Sequence, residues 1–322
     1  MGRAYGAGRT LSTGQSEFSL PYLRLLGGQV AIGAAAIFAR YALTGAGPLA
    51  VAAARLALAA VVLLALARGL RRLSPRRELA LGVAGFALAL HFAAWIASLE
   101  FTSVAVSTLL VTTTPLWTEI YDVVREGRAP SGTFVLSLLL GFAGVALVAV
   151  QRPSGAPPVP GHALLGDLLA LAGSFAIGAY LLIVRDAGAG KGGARLPTRP
   201  IVTRTYGWAA LILIATAGAA HQPAPALSDF VAWGGILAMA LVSQLLGHTA
   251  LNAALRDFRP SVVALSTLTE PVVAAVLAAL IFGELLGPAT IAGGVLVLAA
   301  VAITLSASRP ASAETLPPEI SS

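Results

Sequence analysis

The chain has no cysteine, and only 11% of its 322 residues are charged. Without cysteine there is no disulfide scaffold, no thiolate-ligated zinc, no iron–sulfur cluster and no thiol nucleophile. The redox compartment is left open by the same absence. An average soluble domain carries about 25% charged residues, so the scarcity of charge speaks against a water-soluble globule. Catalytic signatures are missing as well. There is no His-Glu-x-x-His helix and no Gly-x-Ser-x-Gly turn, and the four histidines (91, 162, 221 and 248) are scattered. Gly188-Ala-Gly190-Lys191-Gly192 imitates a phosphate loop, but Arg185 stands where its first glycine is needed and Gly192 where Ser or Thr is needed. The expectation is therefore no enzyme, no cofactor and no metal site.

What is present is apolar. Hydrophobic residues make up 57% of the chain, and the mean hydropathy is +0.85. A membrane span needs about 20 apolar residues. Ten stretches of that kind follow one another: 24–43, 48–68, 79–99, 103–124, 132–151, 163–185, 201–220, 230–254, 261–282 and 288–307. They are apolar nearly all round, as membrane helices are, and lack the alternation of barrel strands. The predicted class is an all-α integral membrane protein of ten transmembrane helices. Residues 1–23 and 308–322 are expected to be disordered tails, and no signal peptide is recognisable in the first.

Basic residues set the orientation. With the N-terminus inside, Arg68, Arg71, Arg72, Arg76 and Arg77 follow the second span, and Arg125 and Arg128 follow the fourth. The segments from Arg185 to Arg204 and from Arg256 to Arg259 are inside too. Only Arg40 and Arg152 are outside, and Arg55 lies within a span. This asymmetry follows the positive-inside rule, so both termini are expected in the cytoplasm. The net charge of +7 then reports loops facing anionic lipid rather than nucleic acid.

The chain also repeats itself. His91 and Phe101 recur as His248 and Phe258, with Ala93, Ala97 and Glu100 matched by Ala250, Ala254 and Asp257. Pro115 recurs as Pro271, and Glu126-x-x-x-Pro130 as Glu284-x-x-x-Pro288. The predicted units are residues 24–151 and 163–307, joined by an extracytoplasmic linker over 152–162. Five helices is an odd number, so the second copy must insert upside down. Inverted repeats of this kind place a substrate site at their interface near the bilayer midplane.

The stretch from Gly247 to Arg256, with Pro260-Ser-Val-Val, Glu270-Pro271-Val and Phe282-Gly-Glu284, resembles the second repeat of EamA-type transporters in the drug/metabolite transporter superfamily. Gly33, Arg40, Pro48, Arg55, Thr102-Ser-Val-Ala and Pro115 fall at the spacing of the first repeat, and Gly166-Asp167-Leu-Leu-Ala-Leu opens the sixth span in the same manner. Ile32 and Phe175 stand where many members carry Trp. The resemblance implies a ten-helix carrier of small metabolites; the first reading is a secondary carrier that exports or imports compounds such as amino acids by alternating access, with export favoured. The alternatives are a multidrug or cation efflux carrier, or a membrane sensor or scaffold that transports nothing.

Polar groups inside spans are expensive and mark candidate sites. Arg55, His91, Glu119, His248 and Glu270 stand out. Glu270 lies about 14 Å into its helix, before Pro271; it is placed to bind a cationic group, to carry a coupling proton, or to pair structurally with Arg55, roughly 8 Å away in depth. Gln244, His248 and Asn252 are spaced by four along one face. His91 and Trp95 share a face in the same way, as do Thr108 and Thr112. The predicted translocation site is His91, Trp95, Thr112, Gln244, His248, Asn252 and Glu270, with Arg55 as the structural charge partner. The competing reading is interhelical hydrogen bonding alone. Trp208 is a second stacking candidate, Trp117 and Trp233 read as packing or anchors, Glu126 and Glu284 as helix-end structure, and Pro115 and Pro271 as kinks.

Overall fold

A computed structural model describes residues 14–67, 72–98, 101–102, 104–150, 162–189, 195–283 and 285–308, without the side chains of 14–19, 104–105, 108 and 149–150. Most of both tails, the linker before His162, Glu100, Lys191, Glu284 and the Thr108 side chain lie outside the described residues.

The described residues are helical, with no strand among them. In chain order they form α1 (Gly14–Gly33), α2 (Ala35–Ala42), α3 (Pro48–Leu66), α4 (Pro75–Ser98), α5 (Val104–Val111), α6 (Thr114–Glu126) and α7 (Gly132–Val150). There follow α8 (Ala163–Ala189), α9 (Thr198–Ala219) and α10 (Phe230–Ala238), a π-helical stretch Met239–His248, and α11 (Thr249–Ala254). The chain ends in α12 (Pro260–Ser266), a 3-10 turn Thr267–Thr269, α13 (Glu270–Phe282) and α14 (Pro288–Ala307). Proline opens α3, α4, α12 and α14, where its missing N–H costs nothing. Gly127 and Gly283 end α6 and α13 with φ of +64° and +67°, left-handed caps that favour glycine.

Among the described residues eight segments are long and apolar enough to cross a membrane: Leu20–Ala42, Pro48–Leu66, Pro75–Ser98, Ala163–Ala189, Thr198–Ala219, Phe230–Ala254, Pro260–Phe282 and Pro288–Ala307. A shorter apolar helix covers Gly132–Val148. The fourth expected span is divided, because the helix breaks at Thr112 and Thr113 before Pro115. At the matching place, α12 gives way to the 3-10 turn before Pro271. Each proline sits in the first turn of the α-helical segment that follows; before Pro115 the helix breaks at Thr112 and Thr113, whereas before Pro271 the chain stays helical through the 3-10 turn, inside the single span Pro260–Phe282. Helix α1 begins at Gly14, inside the segment expected to be a disordered tail. It is held by tertiary contact: the Tyr22 hydroxyl donates to the Ser308 carbonyl at 2.7 Å and its ring lies 5.2 Å from that of Phe258.

Apolar side chains face outward as well as inward. Leu139, Leu211, Leu280 and Val295 are each more than half exposed, as suits helices bathed in hydrocarbon. The packing partners exchange between halves. Helix α4 lies on α8 and α9, while the π stretch lies on α1 and α3; α6 touches α8, and α13 touches α1; α7 packs on α14. Close approach is made by paired glycines. A Cβ on Gly144 would come within 2.6 Å of the Gly293 carbonyl oxygen, and one on Gly293 would meet the Gly144 oxygen.

Candidate functional site

The polar cluster is centred on Arg55, which α3 carries into the interior with 1% of its surface exposed. One Nη donates to Gln244 Oε1 at 2.6 Å, and the guanidinium carbon lies 4.2 Å from the centroid of the Phe92 ring. Arg55 thus joins α3 to the π stretch, which belongs to the other half of the chain. Phe92 meets the His248 ring edge-on at 5.6 Å. Among the described residues, the Nε of Arg55, the Nε2 of Gln244 and the Nδ1 of His248 have no hydrogen-bond partner. The expected partner of Arg55 was Glu270. The structure gives it Gln244 instead, and among the described residues no ion pair within 4 Å reaches Glu270, although an electrostatic interaction couples the two charges. Glu270 is half-buried and opens α13, directly before Pro271.

The repeat-related histidines are not equivalent. His91 Nδ1 lies 2.9 Å from the Gly173 carbonyl oxygen on α8, and its ring stacks on Trp95 at 6.2 Å and 7°. Trp95 is half-buried and its Nε1 is unpartnered. His91 is therefore tied to a backbone group, whereas the His248 ring offers free nitrogen inside the cluster. Asn252 is fully engaged: its Nδ2 donates to the His248 carbonyl at 2.7 Å, and its Oδ1 accepts from the buried Tyr180 hydroxyl at 2.8 Å. Thr112 turns back on its own helix, donating to the Leu109 carbonyl at 2.9 Å at the α5–α6 break. Of the seven expected site residues, Gln244 meets Arg55 and the two histidines meet Phe92, while Asn252 ties α11 to Tyr180 on α8 and Thr112 bonds within its own helix.

The tryptophans divide in the same way. Trp117 Nε1 donates to Ser174 Oγ at 3.1 Å and Trp233 Nε1 to the Ala226 carbonyl at 3.1 Å, both packing contacts. Trp208 is 49% exposed and covers Gly85 on the outside of the bundle, away from a ligand-stacking position.

A second cluster was missed by sequence reasoning. Asp122, with a fully buried side chain, accepts from Arg185 Nη1 at 2.9 Å and from Arg259 Nη2 at 3.0 Å. Arg259 also lies 3.9 Å from Glu119 and 3.8 Å from Glu126. These arginines were counted only as loop charges that set orientation. The legible signal was the acidic spacing 119, 122 and 126, which puts three carboxylates on one face of α6. Phe92 and Tyr180 were missed too, because an aromatic inside an apolar run carries no pattern of its own.

Long apolar helices, outward-facing leucines and a buried charged cluster between two helical halves define a multi-pass membrane protein. The chain belongs to the EamA-like transporter family, whose model matches it twice, over residues 20–150 and 164–306. The two matches agree with the internal repeat and with the drug/metabolite transporter superfamily. None of the curated proteins matches the chain. Among solved structures 28 chains match. One, described only as "Crystal structure of protein", is 16% identical, with a TM-score of 0.73 over 90% of this chain and 98% of its own. At that identity the likeness establishes a shared fold alone.

Proposed function

We infer that this is a secondary-active carrier of small metabolites, amino acids or related compounds, exported by alternating access. The single observation that carries the reading is the Arg55–Gln244 contact, which sets a buried, incompletely satisfied polar cluster between the two halves of the chain. Buried ionisable groups in a membrane bundle are retained for a pathway or its coupling. The reading takes ten membrane spans in two inverted five-helix repeats, with the paired interruptions before Pro115 and Pro271 and the exchange of packing partners in its support. Both termini are assigned to the cytoplasm on the distribution of arginine, and the protein to the inner membrane on the character of its family. Trp95, His248 and Gln244 line the path, and Glu270 carries the coupling proton.

A second reading, efflux of cationic compounds, is favoured by one observation: Glu270 is half-buried without a basic partner within 4 Å among the described residues. One experiment addresses both. The purified protein is reconstituted in liposomes and assayed for counterflow and for accumulation driven by a proton gradient, with amino acids, sugars, nucleosides and cationic dyes. Amino-acid movement that Glu270→Gln leaves in exchange but abolishes in gradient-driven accumulation supports the first reading. Movement of cationic dyes alone supports the second. If nothing moves, the carrier reading fails.

A further inference from the structure

Resting on the carrier reading, we propose that Arg55 and the side-chain amide of Gln244 form the carboxylate-binding point of the translocation site, so that the cargo is a small molecule bearing a carboxylate. Arg55 is 1% exposed, and among the described residues no carboxylate lies within ion-pairing distance of it. A buried guanidinium that lacks a close counter-anion is strongly unfavourable, and proteins retain one where a partner arrives. The Phe92 face and the Gln244 oxygen orient the group, but neither cancels its charge.

The vacant capacity on Arg55 and Gln244 is of donors. Arg55 Nε and Gln244 Nε2 are donors without acceptors, and both are enclosed. The amide oxygen of Gln244 is already taken by Arg55, which turns its NH2 group into the free end. His248 Nδ1, across the Phe92 ring, is unpartnered as well and is able to donate. A site with one fixed positive charge and spare donors beside it is complementary to an anion that only accepts. A carboxylate is such a group, and its planar pair of oxygens fits the guanidinium fork better than it fits an ammonium. Phosphate esters carry more negative charge than the single guanidinium of this site offers.

The test compares matched compounds on the full-length wild-type protein. The twenty common amino acids, their carboxamides and the corresponding decarboxylated amines are assayed by thermal shift in detergent and by counterflow in liposomes. The expected result is that acids bind and move, while the paired amides and amines are weaker by roughly 10–100-fold, the worth of hydrogen bonds to a charged group. Arg55→Lys is expected to lower apparent affinity for the acids, and Arg55→Gln to abolish it. The wild-type series stands even if those variants fail to fold. Amides or amines moving as well as acids would overturn the carboxylate assignment and leave the carrier standing. Phosphate esters moving in place of acids would overturn it too. If no compound of any class moves, the carrier reading fails and this assignment with it.

Discussion

Arg259, at the entry to α12, reaches across 3.0 Å to Asp122, which is buried on α6. That contact ties the second half of the chain to the first at one end of the bundle, and Arg185 from α8 closes on the same carboxylate. On the carrier reading proposed above, the halves would part at one end and meet at the other, and an ion cluster spanning them would favour one of the two states.

Asp122→Asn is expected to lower the thermal stability of the detergent-solubilised protein by about 1–3 kcal/mol. This is below the 3–5 kcal/mol of a wholly buried pair, because Arg259 is 40% exposed. A double-mutant cycle with Arg259→Gln checks it. Strictly additive effects of the two substitutions would mean that the contact carries no energy.

Gln244 makes opposite predictions for two replacements. Gln244→Leu leaves a guanidinium N–H of Arg55 without its acceptor and lowers stability by about 2–4 kcal/mol. Gln244→Glu keeps the acceptor and adds a counter-anion. It should raise the melting temperature while weakening carboxylate cargo roughly tenfold. Thermal melts with and without ligand read both quantities at once; a Gln244→Glu protein that melts lower and binds cargo unchanged would contradict the assignment.

The natural absence of cysteine makes topology directly measurable. Arg128 and Leu285 follow Gly127 and Gly283, the two left-handed caps that the repeat brings into correspondence. In inverted repeats these sites face opposite sides of the membrane. Arg128→Cys is expected to react with impermeant maleimide only from inside, and Leu285→Cys only from outside. Labelling of both from the same side would exclude the inverted arrangement.

Gly144→Val tests the α7–α14 crossing. Its Cβ would enter the space held by the Gly293 carbonyl oxygen, 2.6 Å away, with Val297 at 2.8 Å. The helices must separate, at about 1–3 kcal/mol or more. Reduced melting temperature and broadened size-exclusion profiles are the expected readings. Gly132→Val, where added atoms meet open space, is the control.

How far the fold was legible can be judged element by element. Hydropathy marked where helices lie, because an apolar run of that length has few other stable states in lipid. The repeat was visible because Pro115, Pro271 and the two histidines carry local meaning wherever they sit. The division of the fourth expected span was only half visible: proline announced a change in backbone, but whether a helix bends or restarts depends on what packs beside it. The π stretch was invisible. Gln244, His248 and Asn252 read as one regular stripe, yet their backbone widens over Met239–His248, where Gly247 meets Ile32 and the Gly28 carbonyl of α1.

By itself the sequence determined the class of protein, the helical segments, the repeat and the charged residues that had to find partners. It did so through quantities that are local: the transfer cost of each side chain and the propensities of proline and glycine. Only the tertiary structure decided which partner each buried charge received. Arg55 went to Gln244 rather than Glu270, and Asp122 to two arginines that looked like surface charges. Pairing across hundreds of residues depends on how helices rotate and cross, and that is set by the sum of many small packing contacts that no single stretch of sequence contains.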